Sequence, residues 1–346
     1  MSSSRQLISS ITIYLGLPIF ICGTLGNLLN IRLLWRTRHN PCAFLFLALS
    51  FINCFILVYG LFTRILNVGF YFDWSSTNII WCKTRTAFSQ AGYYISFTCT
   101  CLASIDRFLV SCCQEKYRKL SRLSIAIWAV ILTIIFWLSL SIPHLVYLEL
   151  LPSPSTGLIS CSLGRYDTFS NYVKYFSFPV YYGLLPSIIL TITGLLTYRN
   201  TNKLQIIRQR QIFQKQLTSM MLIQIPIILV STVPYVIFTE YSLSTASMTK
   251  SANQKAIELV ISNIVSVTCY ITFACPFFVF LGSSTSFRKE AKMLFLCRKP
   301  ILLRTNQIQP FSTHPTKKRQ SISMRTNQMA FYPTTSLKKY KTNQNY

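Results

Sequence analysis

Acidic side chains are scarce in this chain of 346 residues, which has eight Asp and Glu residues against 34 Lys and Arg residues. Charge of either sign is missing altogether from seven stretches of 20 to 29 residues. A water-soluble protein of this size would not exclude charge seven times at such lengths, so the absence argues against a soluble domain. The charge-free runs are residues 6–31, 40–63, 86–105, 123–148, 175–198, 216–239 and 259–287.

These runs are rich in Leu, Ile, Phe and Val, and each is long enough to cross a bilayer. A helix needs about 20 apolar residues to span the ~30 Å hydrocarbon core. Lipid offers no water to the backbone, so spanning segments are helices or closed barrels. The runs are solidly apolar and do not alternate with a period of two, which excludes barrel strands. The sequence therefore predicts an all-α membrane protein whose seven-helix bundle covers residues 11–283.

Histidine is also rare, and the three residues His39, His144 and His314 lie in three different segments. No spacing of Cys and His predicts a metal site, and no cofactor is expected. The runs lack the clustered His or Asp residues of an intramembrane enzyme. They also lack the charged or unwound midplane elements of a transporter. A transporter or channel is kept only as an alternative.

The basic residues are divided unevenly between the two sides of the predicted bundle. With the N-terminus outside, the outer segments hold eight basic and five acidic residues, and the inner segments hold 26 basic and three acidic residues. The positive-inside rule then predicts an extracellular N-terminus (residues 1–10) and a cytoplasmic C-terminus in the plasma membrane. Topology and anionic lipid explain the net charge of +26. No aromatic-interleaved groove accompanies it, so nucleic acid is not an expected partner.

Of the twelve cysteines, only Cys82 and Cys161 face the outside in this topology. Two thiols alone in an oxidising compartment pair by default. Cys82 lies at the outer end of the third run and Cys161 in the loop after the fourth. The predicted disulfide would hold that loop over the mouth of the bundle. Two free thiols are the alternative.

The segment 284–297 has the pattern of a short amphipathic eighth helix. Apolar residues recur at i, i+4, i+7 and i+8 from Phe287, with basic residues on the opposite face. Such a helix lies on a membrane surface, and Cys297 at its end is placed for palmitoylation. Residues 298–346 are polar and basic and are predicted to be disordered. Ser321 follows a Lys-Lys-Arg triplet and is a candidate phosphorylation site.

Several further motifs occur in order on the predicted helices. They are Asn27 in the first run, Asp106-Arg107-Phe108 at the end of the third, Trp128 in the fourth, and Pro186, Pro234 and Pro276 in the fifth, sixth and seventh. With these motifs the chain resembles the rhodopsin-like class of G protein-coupled receptors over residues 11–297. Cys82 precedes Arg107 by 25 residues, which is the family's spacing. At ~1.5 Å per residue this spans one membrane crossing.

The resemblance implies a receptor that binds an extracellular ligand and activates a heterotrimeric G protein through helix movement, with an arrestin-like protein as a further partner. Asp106, Arg107 and Phe108 would be the coupling switch. Neighbouring Asp and Arg neutralise each other at rest, and the Arg is released when the helices separate. The three prolines would be the bends about which the helices move. The alternative interpretation of Arg107 is a basic anchor at the lipid interface.

The chain departs from the family pattern at several switches. Residues 40–63 contain no acid, and Phe51 stands where the family has a sodium-binding Asp. Thr232 replaces a Trp in the sixth run, and Cys275 replaces an Asn in the seventh. Gln214 stands where an acid often pairs with the Arg of the third helix. These losses leave open a receptor-like protein that is constitutively active or does not signal.

Family positions also indicate a ligand pocket. Ser89 stands where amine receptors have Asp, and Cys269 where opsins have Lys, so biogenic amines and retinal are not expected. The remaining positions are aromatic or polar with a rim of mixed charge, which favours a small peptide of the neuropeptide kind. A lipid, another small molecule, or tyrosines that only pack between helices are the alternatives. The pocket candidates are Ser89, Gln90, Tyr93, Phe178, Tyr182, Tyr235 and Val265, with Arg85, Glu240 and Glu258 at the rim.

Overall fold

A computed structural model of the chain describes residues 2–152, 159–163, 167–203, 211–245, 248 and 250–295. Helices make up most of this part, and we label the long ones and the last one α1 to α8 in chain order. The predicted disordered tail lies outside the described residues, as do Cys297 and Ser321 and the side chain of Gln214. The palmitoylation, phosphorylation and tail assignments therefore stay predictions.

Four of the helices run without interruption, and three are built from successive segments. The uninterrupted ones are α1 (Ser2–Leu34), α3 (Ile79–Ser111), α4 (Leu123–Tyr147) and α6 (Gln211–Ser244). The segmented ones are α2 (Pro41–Ile56 and the π-helical Leu57–Phe62 and Ile65–Gly69), α5 (Asp167–Tyr172, the π-helical Val173–Leu184 and Leu185–Lys203) and α7 (Ala252–Thr268, Ile271–Ala274 and Pro276–Ser283). Helix α8 is Thr285–Phe295, and short turns of helix lie at Trp35–Thr37 and Glu115–Arg118.

Side chains that accept hydrogen bonds mark where several of these helices begin. Asn40 caps α2 by accepting from the backbone N–H groups of Cys42 and Ala43, and Pro41 occupies the first turn. Asn78 caps α3 in the same way, and Ser251 caps α7. Such caps satisfy N–H groups that have no partner within the helix, and a proline at this position removes one of them.

The three prolines that were predicted to bend the helices have different local effects. Helix α6 continues through Pro234 without a break. Helix α7 restarts at Pro276, because proline has no N–H to donate to the carbonyl one turn earlier. Pro186 follows directly on the π-helical stretch of α5, where the helix returns to α-helical geometry. The structure thus shows local irregularity at two of the three positions, and their role as hinges remains a prediction.

Six of the seven long helices are long and apolar enough to cross a membrane, and α3 is not among them. Helix α3 is 33 residues long, but it buries 16 residues that include three serines, one threonine and the Asp106–Arg107 pair. It packs against α2, α4 and α5. A helix enclosed by other helices presents less surface to lipid, so it needs fewer apolar residues than its neighbours. The fold is the predicted seven-helix bundle, although α1 begins at Ser2, nine residues before the predicted start of the bundle at residue 11.

A β-hairpin joins α4 to α5 and packs against α3. Its strands are β1 (Leu148–Pro152) and β2 (Ile159–Leu163), paired antiparallel with Leu150 opposite Cys161. Cys161 is bonded to Cys82 in the first turn of α3, so the predicted disulfide is confirmed. The bond attaches the hairpin to one end of the bundle, which we call the disulfide end. We call the other end of α3 the Arg107 end.

Helix α8 lies within the segment predicted to be amphipathic. Phe287 is buried against the rings of Phe277 and Phe280 of α7. Ala291 is also buried, whereas Arg288 is exposed. One face of the helix therefore packs against the end of α7 while the basic face points away from the protein.

Candidate functional site

The Arg107 end of α3 carries a buried ion pair. Arg107 Nη2 lies 2.5 Å from Asp106 Oδ2, and the two residues expose 2% and 7% of their surface. The other carboxylate oxygen, Oδ1, accepts a hydrogen bond of 2.6 Å from Ser121 Oγ in the loop before α4. Both oxygens of Asp106 are therefore engaged, one by the adjacent residue and one by the loop. Ser121 was not a sequence candidate, since a loop serine carries no signal of such a contact.

Neutral hydrogen bonds join α3 to α5 around this pair. Ser104 Oγ and Thr193 Oγ1 are 2.7 Å apart, and Asn200 Nδ2 donates to Ser111 Oγ at 3.3 Å. Phe108, the third residue of the predicted switch, is half-buried, and its carbonyl accepts from Ser111 Oγ at 2.8 Å. Neutral bonds of this kind contribute only ~0.5–1.5 kcal/mol each. The two helices are thus held together by contacts that are individually weak.

Four of the predicted pocket residues meet in one aromatic cluster towards the disulfide end. Tyr182 is fully buried, stacks on Phe178 at a centroid distance of 5.2 Å, and meets Tyr235 edge-on at 5.6 Å. Tyr93 of α3 meets Tyr182 edge-on at 5.8 Å. The cluster brings together α3, α5 and α6. Ser89, Gln90 and Val265 are half-buried, and no ring contact links them to it.

Helix α7 adds two aromatic residues that the sequence did not single out. The hydroxyl groups of Tyr93 and Tyr270 are 2.6 Å apart, and Phe273 stacks on Tyr93 at 5.6 Å. Gly60 of α2 makes room for the hydroxyl pair, because a Cβ there would lie 3.0 Å from the Tyr93 oxygen and 3.1 Å from the Tyr270 oxygen. Tyr270 is one of 19 tyrosines and follows no motif, so only the fold identifies it.

Each of the predicted rim residues has a different environment. Arg85 Nε donates to Thr63 Oγ1 at 2.8 Å. Glu258 is occupied by Lys250 at 2.6 Å and by the hydroxyl group of Tyr241 at 3.0 Å. Glu240 has one buried carboxylate oxygen with no hydrogen-bond partner. Glu258 therefore belongs to a local ion pair at the disulfide end, and its place in a ligand rim stays a prediction.

A second arginine at this end was not predicted to be part of the pocket. Arg64 of α2 is half-buried, and its Nη2 donates to Asn263 Oδ1 of α7 at 3.0 Å. Asn263 Nδ2 in turn donates to Thr12 Oγ1 of α1 at 2.9 Å. The guanidinium thus has an amide partner that is itself held by α1.

The position assigned to the family's sodium-binding Asp needs correction. Phe51 exposes 50% of its surface and points away from the bundle, whereas Ser50 and Asn53 are buried. Successive residues of an α-helix are rotated by about 100°, so Phe51 lies on the outer face of α2 while Ser50 and Asn53 lie on the buried face. Asn53 Oδ1 accepts from Ser96 Oγ of α3 at 2.8 Å. Helix α2, residues 41–69, contains no Asp or Glu, so neither Phe51 nor any other residue of this helix offers a carboxylate to a sodium ion.

Thr232, which stands where the family has a Trp in the sixth helix, belongs to a cluster of hydroxyl groups. Ser231 Oγ lies 2.5 Å and Thr232 Oγ1 lies 3.2 Å from Thr272 Oγ1 of α7. The link between α6 and α7 is therefore polar where the family has an aromatic side chain.

In α4, the matched Trp128 is 63% exposed, and the buried tryptophan is Trp137, which donates to Thr98 Oγ1 at 2.9 Å.

A cavity of about 240 Å³ lies at the disulfide end beside α2 and α3, away from the aromatic cluster. Tyr59, Trp74 and Trp81 line it, and none of the predicted pocket residues does. Trp74 is 55% exposed. Tryptophan and tyrosine gather at membrane interfaces, and this position fits such an aromatic belt. Within the described ranges, no cluster of three His, Cys, Asp or Glu residues could hold a metal ion.

Residues 26–293 match a family model described as 7 transmembrane receptor (rhodopsin family). The match covers 268 of the 346 residues, from Gly26 in α1 to Met293 in α8. It includes the Asp106–Arg107 pair, both cysteines of the disulfide and the whole aromatic cluster. No curated protein matches the chain significantly.

Proposed function

The chain belongs to the rhodopsin family of seven-transmembrane receptors, and we propose that it binds an extracellular ligand and activates a heterotrimeric G protein. In this proposal the protein is in the plasma membrane with its N-terminus outside, so the disulfide end faces the medium and the Arg107 end faces the cytoplasm. The distribution of basic residues supports this orientation, since 26 of 34 lie on the cytoplasmic side.

The buried Asp106–Arg107 pair carries the proposal. Ionisable residues at the edge of the hydrocarbon core are unfavourable unless they are paired. An arginine that only anchored the helix would extend to the interface, but Arg107 exposes only 2% of its surface. A buried, paired arginine suits a switch that is closed at rest. When α3 separates from its neighbours, Arg107 becomes available to a cytoplasmic partner.

Helix movement is the means by which the two ends communicate in this proposal. The 25 residues from Cys82 to Arg107 span ~37 Å of helix, too far for one ligand to contact both. The polar bonds between α3 and α5 and the hydroxyl cluster between α6 and α7 are the contacts that such a movement would exchange. Pro234 and Pro276 are the proposed bends, together with Pro186 in α5.

The aromatic cluster supports a ligand with apolar or aromatic side chains. Ligand sites are mostly apolar with a few placed polar groups, and tyrosines supply both an apolar ring and a hydroxyl group. We propose a small peptide whose side chains meet Tyr93, Tyr182 and Tyr235, and whose polar groups meet Arg85 and Glu240. A neuropeptide-like ligand of this kind is consistent with the half-buried polar positions Ser89 and Gln90.

The cytoplasmic tail is proposed to regulate the receptor. Palmitoylation of Cys297 would hold α8 on the membrane. Phosphorylation of Ser321 would add about −1.5 to −2 charge to a basic tail held near anionic lipid, which would release the tail to an arrestin-like protein. Replacement of Ser321 by Ala should then reduce agonist-driven internalisation, and unchanged internalisation would contradict this part of the proposal.

The test is a peptide-library screen in cells that carry a promiscuous G protein, with wild type and Arg107→Ala compared at matched surface level. We expect that peptides activating the wild type still bind the variant but no longer activate the G protein. Arg288→Ala is the matched control, because Arg288 is an exposed basic residue of α8 near the same end. It should signal like the wild type.

Four results would distinguish the alternatives. Normal signalling per surface copy by Arg107→Ala would contradict the switch, and a lower surface level with normal signalling per copy would identify an anchor. A wild-type basal signal that the variant lacks, without any peptide, would identify a constitutive receptor. Wild-type and variant signals that both stay at the level of untransfected cells would favour a non-signalling protein.

A further inference from the structure

Arg64 is a cation whose guanidinium is only partly satisfied. Its Nε is buried and has no hydrogen-bond partner, and its Nη2 donates to the neutral amide of Asn263. A buried N–H group without an acceptor is unfavourable, more so when it is charged. The α2 backbone around it is irregular, since Arg64 lies between the two π-helical stretches of that helix. Arg64 thus has donor capacity that the described protein does not use.

The described part of the chain supplies no carboxylate to Arg64 or to the neighbouring Arg85. Its ion pairs join Asp106 to Arg107, Glu115 to Lys119 and Glu258 to Lys250. Arg85 bonds to the hydroxyl group of Thr63, which is adjacent to Arg64 in the sequence. Two arginines therefore lie together on α2 and α3 with neutral partners only. Partly buried charges without counter-charges are unfavourable in a membrane protein and mark functional sites.

The geometry of α3 directs these groups towards the pocket. Arg85, Ser89 and Tyr93 are spaced at i, i+4 and i+8, which places them on one face of the helix. Tyr93 is at the base of this face, where its hydroxyl group meets that of Tyr270. Ser89 Oγ, between them, is buried and has no hydrogen-bond partner. The face therefore leads from a cation, past an unused hydroxyl group, to the aromatic cluster.

Helices α2 and α7 complete the same site. Gly60 lies one turn from Arg64 and adjoins the Tyr93–Tyr270 hydroxyl pair. Arg64 bonds Asn263, which lies two turns before Tyr270 in α7, and Arg85 bonds Thr63 beside Arg64. The two guanidinium groups, the Ser89 hydroxyl and the tyrosine pair thus surround one region between α2, α3 and α7.

We propose that Arg64, Arg85 and Ser89 bind a carboxylate group of the ligand. A carboxylate has two oxygens and about four acceptor sites, and arginine binds it with strong, charge-assisted hydrogen bonds. It would provide both the missing counter-charge and an acceptor for the unused Arg64 Nε–H and Ser89 O–H groups. This inference rests on the proposed function, because it names the chemistry of the ligand that the receptor recognises. The carboxylate is the free C-terminus of a peptide or the head of a fatty acid.

The experiment measures the thermal unfolding midpoint of the purified full-length chain in lipid nanodiscs. The probes are a pool of short peptides prepared as free acids and as C-terminal amides, and a series of linear fatty acids with their primary amides. We expect an acid to raise the unfolding midpoint and the corresponding amide to leave it unchanged. The responding arm, peptide or fatty acid, identifies the source of the carboxylate.

Three variants locate the binding site. Arg64→Gln should weaken binding of the responding acid on the order of 10- to 100-fold, the usual effect of losing a hydrogen bond to a charged group. Arg64→Lys keeps the charge and should retain part of the affinity. Lys255→Gln removes the same charge from an exposed position at the same end and should leave binding unchanged.

Equal shifts by acids and amides, unchanged acid binding by Arg64→Gln, or no shift by any acid would each overturn the inference. The measurement involves no G protein, so its outcome is independent of the signalling test with Arg107→Ala. Acid binding without signalling would refute the proposed coupling while supporting the site. Signalling by an amide peptide that does not depend on Arg64 would support the proposed coupling while refuting the carboxylate site.

Discussion

Two arginines near opposite ends of this bundle differ in their surroundings, and Arg107 is buried whereas Arg64 is half-buried. Arg107 has a carboxylate at 2.5 Å, and that carboxylate is also bonded to Ser121. Arg64 has one amide partner and a buried N–H without an acceptor. Charge at the Arg107 end is compensated within the chain. At the disulfide end Glu258 and Lys250 pair within the chain, whereas Arg64 has no carboxylate partner among the described residues, which agrees with the proposed ligand site.

The largest effect is expected from Asp106→Asn, which keeps the shape of the side chain but removes the counter-charge. Removing one partner of a buried pair destabilises by ~3–5 kcal/mol, and the released Arg107 should also raise basal signalling. The unfolding midpoint and the basal G protein signal at matched surface level measure both effects. Glu115→Gln is the control, because the Glu115–Lys119 pair is exposed at 71% and 63% of its side chains and such pairs contribute ~0–1 kcal/mol. If Asp106→Asn and Glu115→Gln changed the unfolding midpoint and the basal signal to a similar extent, this would contradict the interpretation that Asp106 compensates the buried charge of Arg107.

Loss of the disulfide should have the next largest effect and act on the other end. The double variant Cys82→Ser, Cys161→Ser should lose ~2–4 kcal/mol of stability, because the β-hairpin is no longer attached to α3. Thermal unfolding with and without a reductant measures this, and the reductant should lower the wild-type midpoint to that of the variant. Cys22→Ser, at an exposed free thiol, is the control and should respond to reductant like the wild type. If the unfolding midpoint of the wild type did not change with the reductant, this would argue against the bond.

Gly60→Ala tests the tyrosine pair below Arg64. The added Cβ would lie 3.0 Å and 3.1 Å from the Tyr93 and Tyr270 hydroxyl oxygens, so the rings have to move, and overpacking of this kind costs ~1–3 kcal/mol. Gly282→Ala is the matched control, since nothing lies within 4 Å of its added Cβ. We expect the Gly60 variant alone to lower the unfolding midpoint and to weaken ligand binding. Equal midpoints in the two variants would show that the site has room that the structure does not indicate.

The smallest effect is expected from Arg64→Gln in the ligand-free receptor. The substitution removes a charge that lacks a carboxylate, at the expense of one hydrogen bond to Asn263, so stability should change by less than ~1 kcal/mol. The direction should be neutral or stabilising, opposite to that of Asp106→Asn. The unfolding midpoint without ligand measures it. A loss as large as that of Asp106→Asn would mean that Arg64 is a structural residue, and the contrast between the two ends would fail.

The features that the sequence predicted well are those encoded over short distances or by exclusion. Charge-free runs predicted the helices, because lipid forces their backbone groups to bond within each helix. Cys82 and Cys161 were the only outward-facing thiols in the predicted topology, and they are bonded. Asp106 and Arg107 are adjacent in the chain, so their pairing required no knowledge of the fold. The family match over residues 26–293 agrees with the motifs that indicated it.

Predictions that depended on which way a helix faces were less successful. The position of the family Asp was assigned to Phe51, which points away from the bundle next to the buried Ser50. In the fourth helix the matched Trp128 is exposed, and the sequence did not indicate that Trp137 is the buried tryptophan. The pairing of Glu258 with Lys250 was likewise not evident from the sequence. Uniformly apolar helices show no clear periodicity, so the sequence does not reveal which face is inside.

The sequence by itself determined the number of helices, the disulfide and the presence of a charged pair at the end of α3, but it placed the start of α1 nine residues too late. Only the tertiary structure decided that Arg64 bonds Asn263, that the hydroxyl groups of Tyr93 and Tyr270 meet, and that Ser121 bonds Asp106. Backbone hydrogen bonding and the exclusion of charge from lipid act within each segment and can be recognised there. The meeting of Arg64 on α2 with Asn263 on α7 depends on how helices almost 200 residues apart in the chain rotate and pack.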